Sequence, residues 1–494
     1  MQSQHVKIST VKKWIKIPFL YRQRFILGYI FLLLVFAGLL SFLPSIAPGG
    51  ISSEEMQSVV TSQKVDRNFI TNGQVIDLPY RVIQKAIINV FGLTLYTIKL
   101  PSIIIAVLTA LFLILLLNRW FKSDVAIIGS ILTTLSVAFL FLAGFGTPSI
   151  MYVFWLAVII WLGSKIIGNE HTHPLLVISF ATCVALSLYT PHMIYIALGI
   201  AIAGITHKDM RASLKQIKVY QLILSISIFA ILIAPLVISG VFNSSVPVRL
   251  IFTENINTYI DNISNSFAPF FSFISAYDSV YLAPLFGLAT VSLIIIGALA
   301  SMGKLFTTRN TIVSLLIIYS IVVAGFNPNA AISIIIPIAI LTTAGIESII
   351  QKWHSLFPEN PYAHIIGALP IVVIVLFIIY SDLSHFIFGY HYTPSVANNF
   401  NNDITLISEN LKSGTVLIMA DTHKDHDFYK LLEAKNNLTI MSQVPERNDL
   451  PIASLGEPLK DEKLELKQII TSPKRLNSAR LYIYEKITTE KQGS

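Results

Sequence analysis

Residues 26–60 read ILGYIFLLLVFAGLLSFLPSIAPGGISSEEMQSVV. The stretch from 26 to 43 carries no charge and is close to the roughly 20 apolar residues that cross a hydrocarbon core. Two adjacent carboxylates, Glu54 and Glu55, follow a few residues later. The rest of the chain repeats the apolar motif. Of 494 residues, 54% are hydrophobic and 13% charged, and the mean hydropathy is +0.69. Those values exclude a soluble globular protein and give a polytopic α-helical membrane protein. The first apolar run is not a cleavable signal: it lacks a small-x-small site, and further runs follow.

The net charge is +8 and the pI about 9.2. The basic residues fall mainly in the N-terminal tail and in short loops, where they set topology, so no nucleic-acid partner is implied. The single cysteine, Cys183, lies in an apolar run, which excludes an intrachain disulfide and argues against a thiol catalyst.

Eleven spans follow from the apolar runs: 26–43, 100–118, 124–143, 149–167, 175–189, 191–205, 219–239, 282–302, 312–326, 331–347 and 364–380. Residues 1–25 form a cytoplasmic basic tail with Lys7, Lys12, Lys13, Lys16, Arg22 and Arg24. Residues 26–380 form the transmembrane domain. Two long segments inside it, 44–99 and 240–280, face outward and exceed ordinary loop length, so they are expected to be folded and functional. Residues 395–494 change character. Buried strands are expected at 415–420 (TVLIMA) and 438–441, a half-exposed strand at 479–485, and helices at 403–411 and 427–435. This predicts a small extracytoplasmic α/β domain without a nucleotide-binding motif. The chain is thus expected in a bacterial plasma membrane, with membrane lipids as neighbours.

In segment 44–99, Met56, Val59 and Val60 recur at helical spacing within 53–63, which predicts an amphipathic helix on the membrane surface. Residues 79–91 predict a second short helix. Ser52-Ser53-Glu54-Glu55 also fits a capping box, with Glu55 reaching back to the Ser52 backbone and Glu54 complementing the helix dipole. The acids can therefore cap, react or do both.

Four features in order carry a resemblance: Glu54-Glu55 after the first span; Asp77-Leu78-Pro79-Tyr80; Phe91-Gly92 continuing to Lys99-Leu100-Pro101-Ser102; and residues 334–341 (IIIPIAIL) opening a late span. Together, over roughly residues 25–345, they resemble the GT-C superfamily. The closest branch is the protein O-mannosyltransferases and aminoarabinose transferases, which depend on polyprenyl-phosphate sugars. The resemblance implies a glycosyltransferase, hexosyl- or pentosyltransferase, that moves a sugar with inversion from a polyprenyl-phosphate donor. The acceptor would be a lipid, glycan or protein hydroxyl. It implies Glu54 and Glu55 as catalytic, with Glu54 as general base where the family carries Asp. It implies no cofactor, a divalent metal remaining open.

Several positions depart from the family pattern. The glutamate is one methylene longer than the aspartate, Leu78 stands within the usual Pro-Pro motif, and Ala330-Ala331 replace an Arg/His-Tyr pair. Either the donor chemistry differs or other cations substitute. Arg81, Lys85 and Arg249 are external cations that either hold the donor phosphate or snorkel to lipid headgroups. Asp77 either caps the second helix or lines the substrate site. His192, between spans five and six, is an interfacial histidine or a phosphate contact. Lys99 is an interface anchor, and the acid- and histidine-rich run 421–427 is a loop entering a helix rather than a metal site. Two rival functions remain: a flippase for lipid-linked sugars, expected to carry ionisable residues deep in its spans, and a non-catalytic envelope-assembly relative.

Overall fold

The structure, a computed structural model, describes residues 24–47, 49–167, 173–252, 256–271, 282–303, 307–357 and 361–400. Beyond these it describes residues 402, 404–411, 414–418, 425–436, 438–441, 444, 451–455, 458–459, 463–471 and 480–486. The predicted basic tail lies outside the described residues except for Arg24 and Phe25. So do His171, residues 421–424 and residues 272–280 of the second long segment.

The helical part begins with α1 (Arg24–Ile46), α2 (Ser53–Lys64), α3 (Leu78–Phe91), α4 (Leu95–Trp120), α5 (Ser123–Thr134), α6 (Val137–Gly144) and α7 (Ile150–Ile166). It continues with α8 (Pro174–Ser187), α9 (Met193–Thr206), α10 (Lys208–Lys215), α11 (Val219–Phe242), α12 (Ser245–Ile251) and α13 (Tyr259–Phe271). Then come α14 (Leu288–Met302), α15 (Thr308–Phe326), a 3-10 turn at Pro328–Ile334, α16 (Ile335–Leu356) and α17 (Pro361–Tyr392).

Each of the eleven predicted spans falls on an apolar helix or helix pair. Among the described residues, 5 helices are long and apolar enough to cross a membrane alone, or up to 7 if each bent pair is one span. The number of crossings is therefore not fixed at eleven by helix length. The predicted span 124–143 is α5 and α6, bent by 58°. Ser136 sits at the break, accepting the Phe139 N–H at 3.4 Å and donating to the Thr133 carbonyl at 2.7 Å, so one hydroxyl ends one helix and starts the next. α9 and α10 meet at 88° where the sequence turns from MIYIALGIAIAGIT to KDMRASLK and charge leaves the apolar phase.

The outward helices are apolar on every side. Only 11% of the α11 window is buried inside the protein, as is 22% of the α17 window. A helix so apolar and so little covered by protein has lipid as its solvent. The chain is an integral membrane protein. Inside the bundle, α4 packs against α1, α3, α5, α6 and α7. α14 and α16 approach through Gly297 and Gly345, where an added Cβ would overlap the Leu341 and Leu293 carbonyls respectively. Small residues at such crossings let backbones touch where no hydrophobic effect operates between helices.

After residue 400 the chain turns mixed. Short helices α18 (Pro394–Ala397), α19 (Ile404–Asn410) and α20 (His426–Asn436) accompany five strands. These are β1 (Val416–Ile418), β2 (Thr439–Met441), β3 (Ile452–Leu455), β4 (Leu464–Ile470) and β5 (Leu481–Lys486) in the order β2-β1-β3-β5-β4. β1 runs parallel to β2 and β3, while β5 is antiparallel to β3 and β4. β1 is buried on both faces, as its unbroken apolar run required.

One face of this sheet shares a core with α2. Met56, Val59 and Val60 pack with Leu417, Phe428, Leu432, Ala453 and Leu481. This corrects the surface-helix reading of α2: the apolar stripe is covered by protein rather than lipid, because a sheet later in the chain supplies the matching face. α3 keeps the surface character, exposing Val82, Ile83, Val90 and Phe91. α17 also runs past the predicted end at 380, burying Phe386 and Tyr390 against Phe141 and Phe400.

Candidate active site

The capping box at the start of α2 is present in full. The Ser52 hydroxyl accepts the Glu55 N–H at 3.2 Å, and Glu55 Oε2 accepts the Ser52 N–H at 2.9 Å. The second oxygen, Oε1, accepts the Gly146 N–H at 2.8 Å and lies 3.7 Å from Lys99 Nζ. Both side chains of this ion pair are buried, at 0% and 1% exposed. Glu55 thus joins α2, α4 and the 145–149 turn. An alanine Cβ at Gly146 would stand 2.8 Å from the Ile98 carbonyl, so only glycine admits the turn to this contact. Lys99, expected as an interface anchor, is instead an interior partner. Its helix begins just before it, and the first turn of α4 points into protein.

Glu55 therefore holds the structure, and Glu54 is the carboxylate of the pair that stays exposed. One residue of helix turns the side chain by about 100°, and Glu54 is exposed. Protein still surrounds most of its approach. Burial, and then the charge of Glu55, push its pKa above the ordinary carboxylate range.

The platform beneath α2 is hydrogen-bonded throughout. Gln84 of α3 is fully buried; its Oε1 accepts from Ser58 at 3.0 Å and Ser62 at 2.6 Å. Its Nε2 donates to the carbonyls of Gly146 at 3.2 Å and Ile98 at 3.4 Å. The Tyr80 and Ser102 hydroxyls are 2.9 Å apart. Tyr80 closes the Asp77–Tyr80 motif of the sequence, whereas Gln84 did not stand out; a polar residue on the inward face of a helix was the signal available. From the far side, Ser53 donates to Asp425 at 3.1 Å, and Lys64 meets Asp427 at 2.9 Å.

A second cluster forms around Asp77. The Asp77 N–H donates to the Tyr189 carbonyl at 2.8 Å, and the His192 N–H to Leu250 at 2.8 Å. Val75, Tyr189, Val246 and Leu250 make the small apolar core that ties the three segments together. Asp77 and His192 are the two non-glycine residues with positive φ among the described residues, at 54° and 63°. Such backbone strain persists only where surroundings enforce it, and it concentrates at functional sites.

Asp77 holds the position before α3, but its side chain makes no capping hydrogen bond, which corrects the capping reading. Its charge instead interacts with that of Arg81. Burial raises the Asp77 pKa to about 6, against the opposing pull of Arg81. Burial likewise lowers the Arg81 pKa; Asp77 counters this, and Arg249 adds to it by repulsion. Asp77, Arg81 and Arg249 therefore share one electrostatic neighbourhood.

His192 is buried at 3% exposure, not interfacial. Its ring stacks on Phe326 at 5.6 Å, and its buried Nδ1 has no partner among the described residues. Lys85 is not part of this cluster. Its ammonium donates to the carbonyls of Gln63, at 3.1 Å, and Val65, closing the end of α2. Ala330 and Ala331 are buried in the core, so that position offers a phosphate no charge. Beside Arg249 runs an apolar groove of about 310 Å³ lined by Leu236, Val241, Val246, Pro247, Leu250 and Ile251. Among the described residues no group of three or more His, Cys, Asp or Glu side chains is arranged to hold a metal.

No protein-family model matches the chain, and no curated protein does. Solved structures do. ArnT from Cupriavidus metallidurans bound to undecaprenyl phosphate superposes with a TM-score of 0.54 at 11% identity, covering 94% of this chain and 98% of that one. Its apo state gives 0.53 at 10% identity, covering 93% and 98%. The Archaeoglobus fulgidus oligosaccharyltransferase tethered with an acceptor peptide gives 0.51 at 12%, covering 85% of this chain and 64% of that one. At such identities the likeness defines the fold. The chain shares its fold with these two transferases.

Proposed function

We propose that this protein is a membrane glycosyltransferase. It moves a sugar from a polyprenyl-phosphate donor to a hydroxyl of a lipid, glycan or protein acceptor, with inversion. The observation that carries the reading is the division of labour in one dipeptide. Glu55 is locked in a buried ion pair, and this presents Glu54 as an exposed carboxylate of raised basicity. The ligand named for one structural neighbour, undecaprenyl phosphate, supports the donor class. The acceptor peptide named for another supports a transferred group received by a second substrate.

In this reaction the Glu54 carboxylate takes the acceptor proton. The acceptor oxygen attacks the anomeric carbon from the face opposite the phosphate. The anomeric C–O bond breaks, and its electron pair leaves with the polyprenyl phosphate. Arg81 and Arg249 neutralise that leaving group, and the groove beside Arg249 takes the first isoprene units. No second acid is needed, since phosphate is a competent leaving group once its charge is held. The basic N-terminal tail supports a cytoplasmic N-terminus, with the site and the sheet outside a bacterial plasma membrane.

The test is transfer by the purified protein across a panel of polyprenyl-phosphate sugars. Glu54→Gln should lower the rate by about 10²–10⁴-fold while donor binding persists, and Glu54→Asp should retain part of it. The wild-type rate should rise with pH through a pKa above the usual carboxylate value, because the base works only when ionised. Undiminished transfer by Glu54→Gln removes the base assignment. Donor translocation without transfer would favour the flippase.

A further inference from the structure

Along α9, from Ile196 to the end opposite His192, runs a second apolar cavity of about 410 Å³, between α7, α8, α9, α11 and α15. We propose that it binds one molecule of an anionic glycerophospholipid, whose headgroup sits on α10 and whose acyl chain enters the cavity. Three independent observations converge on that ligand.

The first is the mouth. α10 crosses the end of α9 at 88° and turns Met210, Ser213 and Leu214 into the cavity. Its other side exposes Lys208, Arg211 and Lys215, and Lys218 follows, also exposed. The one acid among them, Asp209, accepts a hydrogen bond from Thr308 at 3.2 Å. The rim is thus strongly cationic, and basic residues at a membrane surface draw anionic headgroups.

The second is the wall. Along α9 the lining runs from Gly204 to Ile196, eight residues or about 12 Å of helix. With the facing side chains of α7, α8 and α11 it forms an apolar slot directed away from the rim, the shape an acyl chain fills.

The third is Ser225. It lines the cavity, is 4% exposed, and its buried hydroxyl has no partner among the described residues. The contrast with Ser227 on the same helix is direct: that hydroxyl bonds back to the Ile223 carbonyl at 2.9 Å. A buried hydroxyl that forgoes this available bond is costly unless something else meets it. Ser225 follows Lys218 by seven residues, two turns on one face. That places a hydroxyl donor one step below the cationic rim, where the ester carbonyls of a glycerophospholipid lie.

The donor lipid is a different ligand. Its phosphate needs the Arg81 and Arg249 end, and the 14 residues of α9 hold the two ends about 21 Å apart. The proposal stands whether or not the chain transfers sugar.

Native mass spectrometry of the delipidated full-length protein tests it. The titrants are dioleoylphosphatidylglycerol, dioleoylphosphatidylcholine and undecaprenyl phosphate. One phosphatidylglycerol adduct should form at about tenfold lower concentration than the phosphatidylcholine adduct. Arg211→Gln/Lys215→Gln/Lys218→Gln, which changes only exposed residues, should abolish the preference. Ser225→Ala should weaken the adduct about threefold to tenfold. Ala201→Phe, which fills the slot, should remove it; Ser225→Ala keeps the test valid if that variant does not fold. Equal binding of the two phospholipids would overturn the proposal, as would a preference that survives the triple substitution. Displacement of phosphatidylglycerol by undecaprenyl phosphate, one for one, would do the same by making the cavity part of the donor site.

Discussion

The protein contains two acid–base clusters on its α2–α3 platform, and they are built in opposite ways. Around Glu55 every group is fixed. The carboxylate takes two backbone N–H groups and Lys99, the backbone is relaxed, and water is excluded. Around Asp77 the backbone is strained, the carboxyl lacks the cap its position offers, and Arg249 is exposed beside an apolar groove. Tyr80 lies within electrostatic range of both carboxylates, so one helix turn joins the two clusters. A cluster whose hydrogen bonds are met internally holds shape. The other sets its charges beside a groove. The difference marks Glu55–Lys99 as a structural pair and makes Asp77, Arg81 and Arg249 the proposed substrate contacts.

Four experiments break or sharpen that contrast. The largest effect is expected from Lys99→Met, which leaves Glu55 charged and buried. It should cost about 3–5 kcal/mol of stability, read as a drop in thermal unfolding temperature in micelles, and Glu55→Gln in the same chain should restore much of it. Lost transfer at unchanged stability would instead move Glu55 into the chemistry.

Arg249→Gln should raise the KM for donor about tenfold to a hundredfold with little change in stability, because its exposed side chain loses only a charge-assisted contact. Equal loss of stability would place Arg249 with Lys99 as a structural cation.

Asp77 carries the pH dependence. Its folded pKa, about 6, stands above the ordinary 3.8. The contribution is thus full below pH 4 and is lost as pH rises through 6, destabilising the fold by roughly 1–3 kcal/mol at pH 8. Asp77→Asn should flatten the unfolding temperature between pH 5 and pH 8. An unchanged slope would mean that another group titrates there.

The smallest effect belongs to Lys64–Asp427, an exposed pair at 2.9 Å. Lys64→Gln should leave the unfolding temperature nearly unchanged, since solvent and salt screen an exposed pair. A larger loss would show that the sheet is held on α2 by charge rather than by the shared apolar core.

Much of this was legible along the chain. The capping box, the helix at 78–91, β1, β2, β5, α19 and α20 all follow from local rules of spacing and capping. Each depends on residues within about one helical turn or one strand of one another. The strands at 452–455 and 464–470 went unread; β4 is mostly exposed and mixed in pattern, and only pairing with β5 makes it a strand. Glu54 stood out beside its neighbour, but nothing local separated their roles.

The sequence by itself determined a membrane chain of apolar helices, a capped helix bearing two acids, and strands alternating with helices at the end. Only the tertiary structure decided which acid is free. Lys99 lies 44 residues from Glu55, Gly146 lies 91 away, and the sheet that covers Met56 and Val59 lies more than 350 residues on. Capping and periodicity act over a few residues, whereas burial and ion pairing depend on whatever the fold brings alongside. Glu55 became structural because Lys99 and Gly146 meet it, whereas Glu54, one residue earlier on the same helix, stays exposed and is the proposed base.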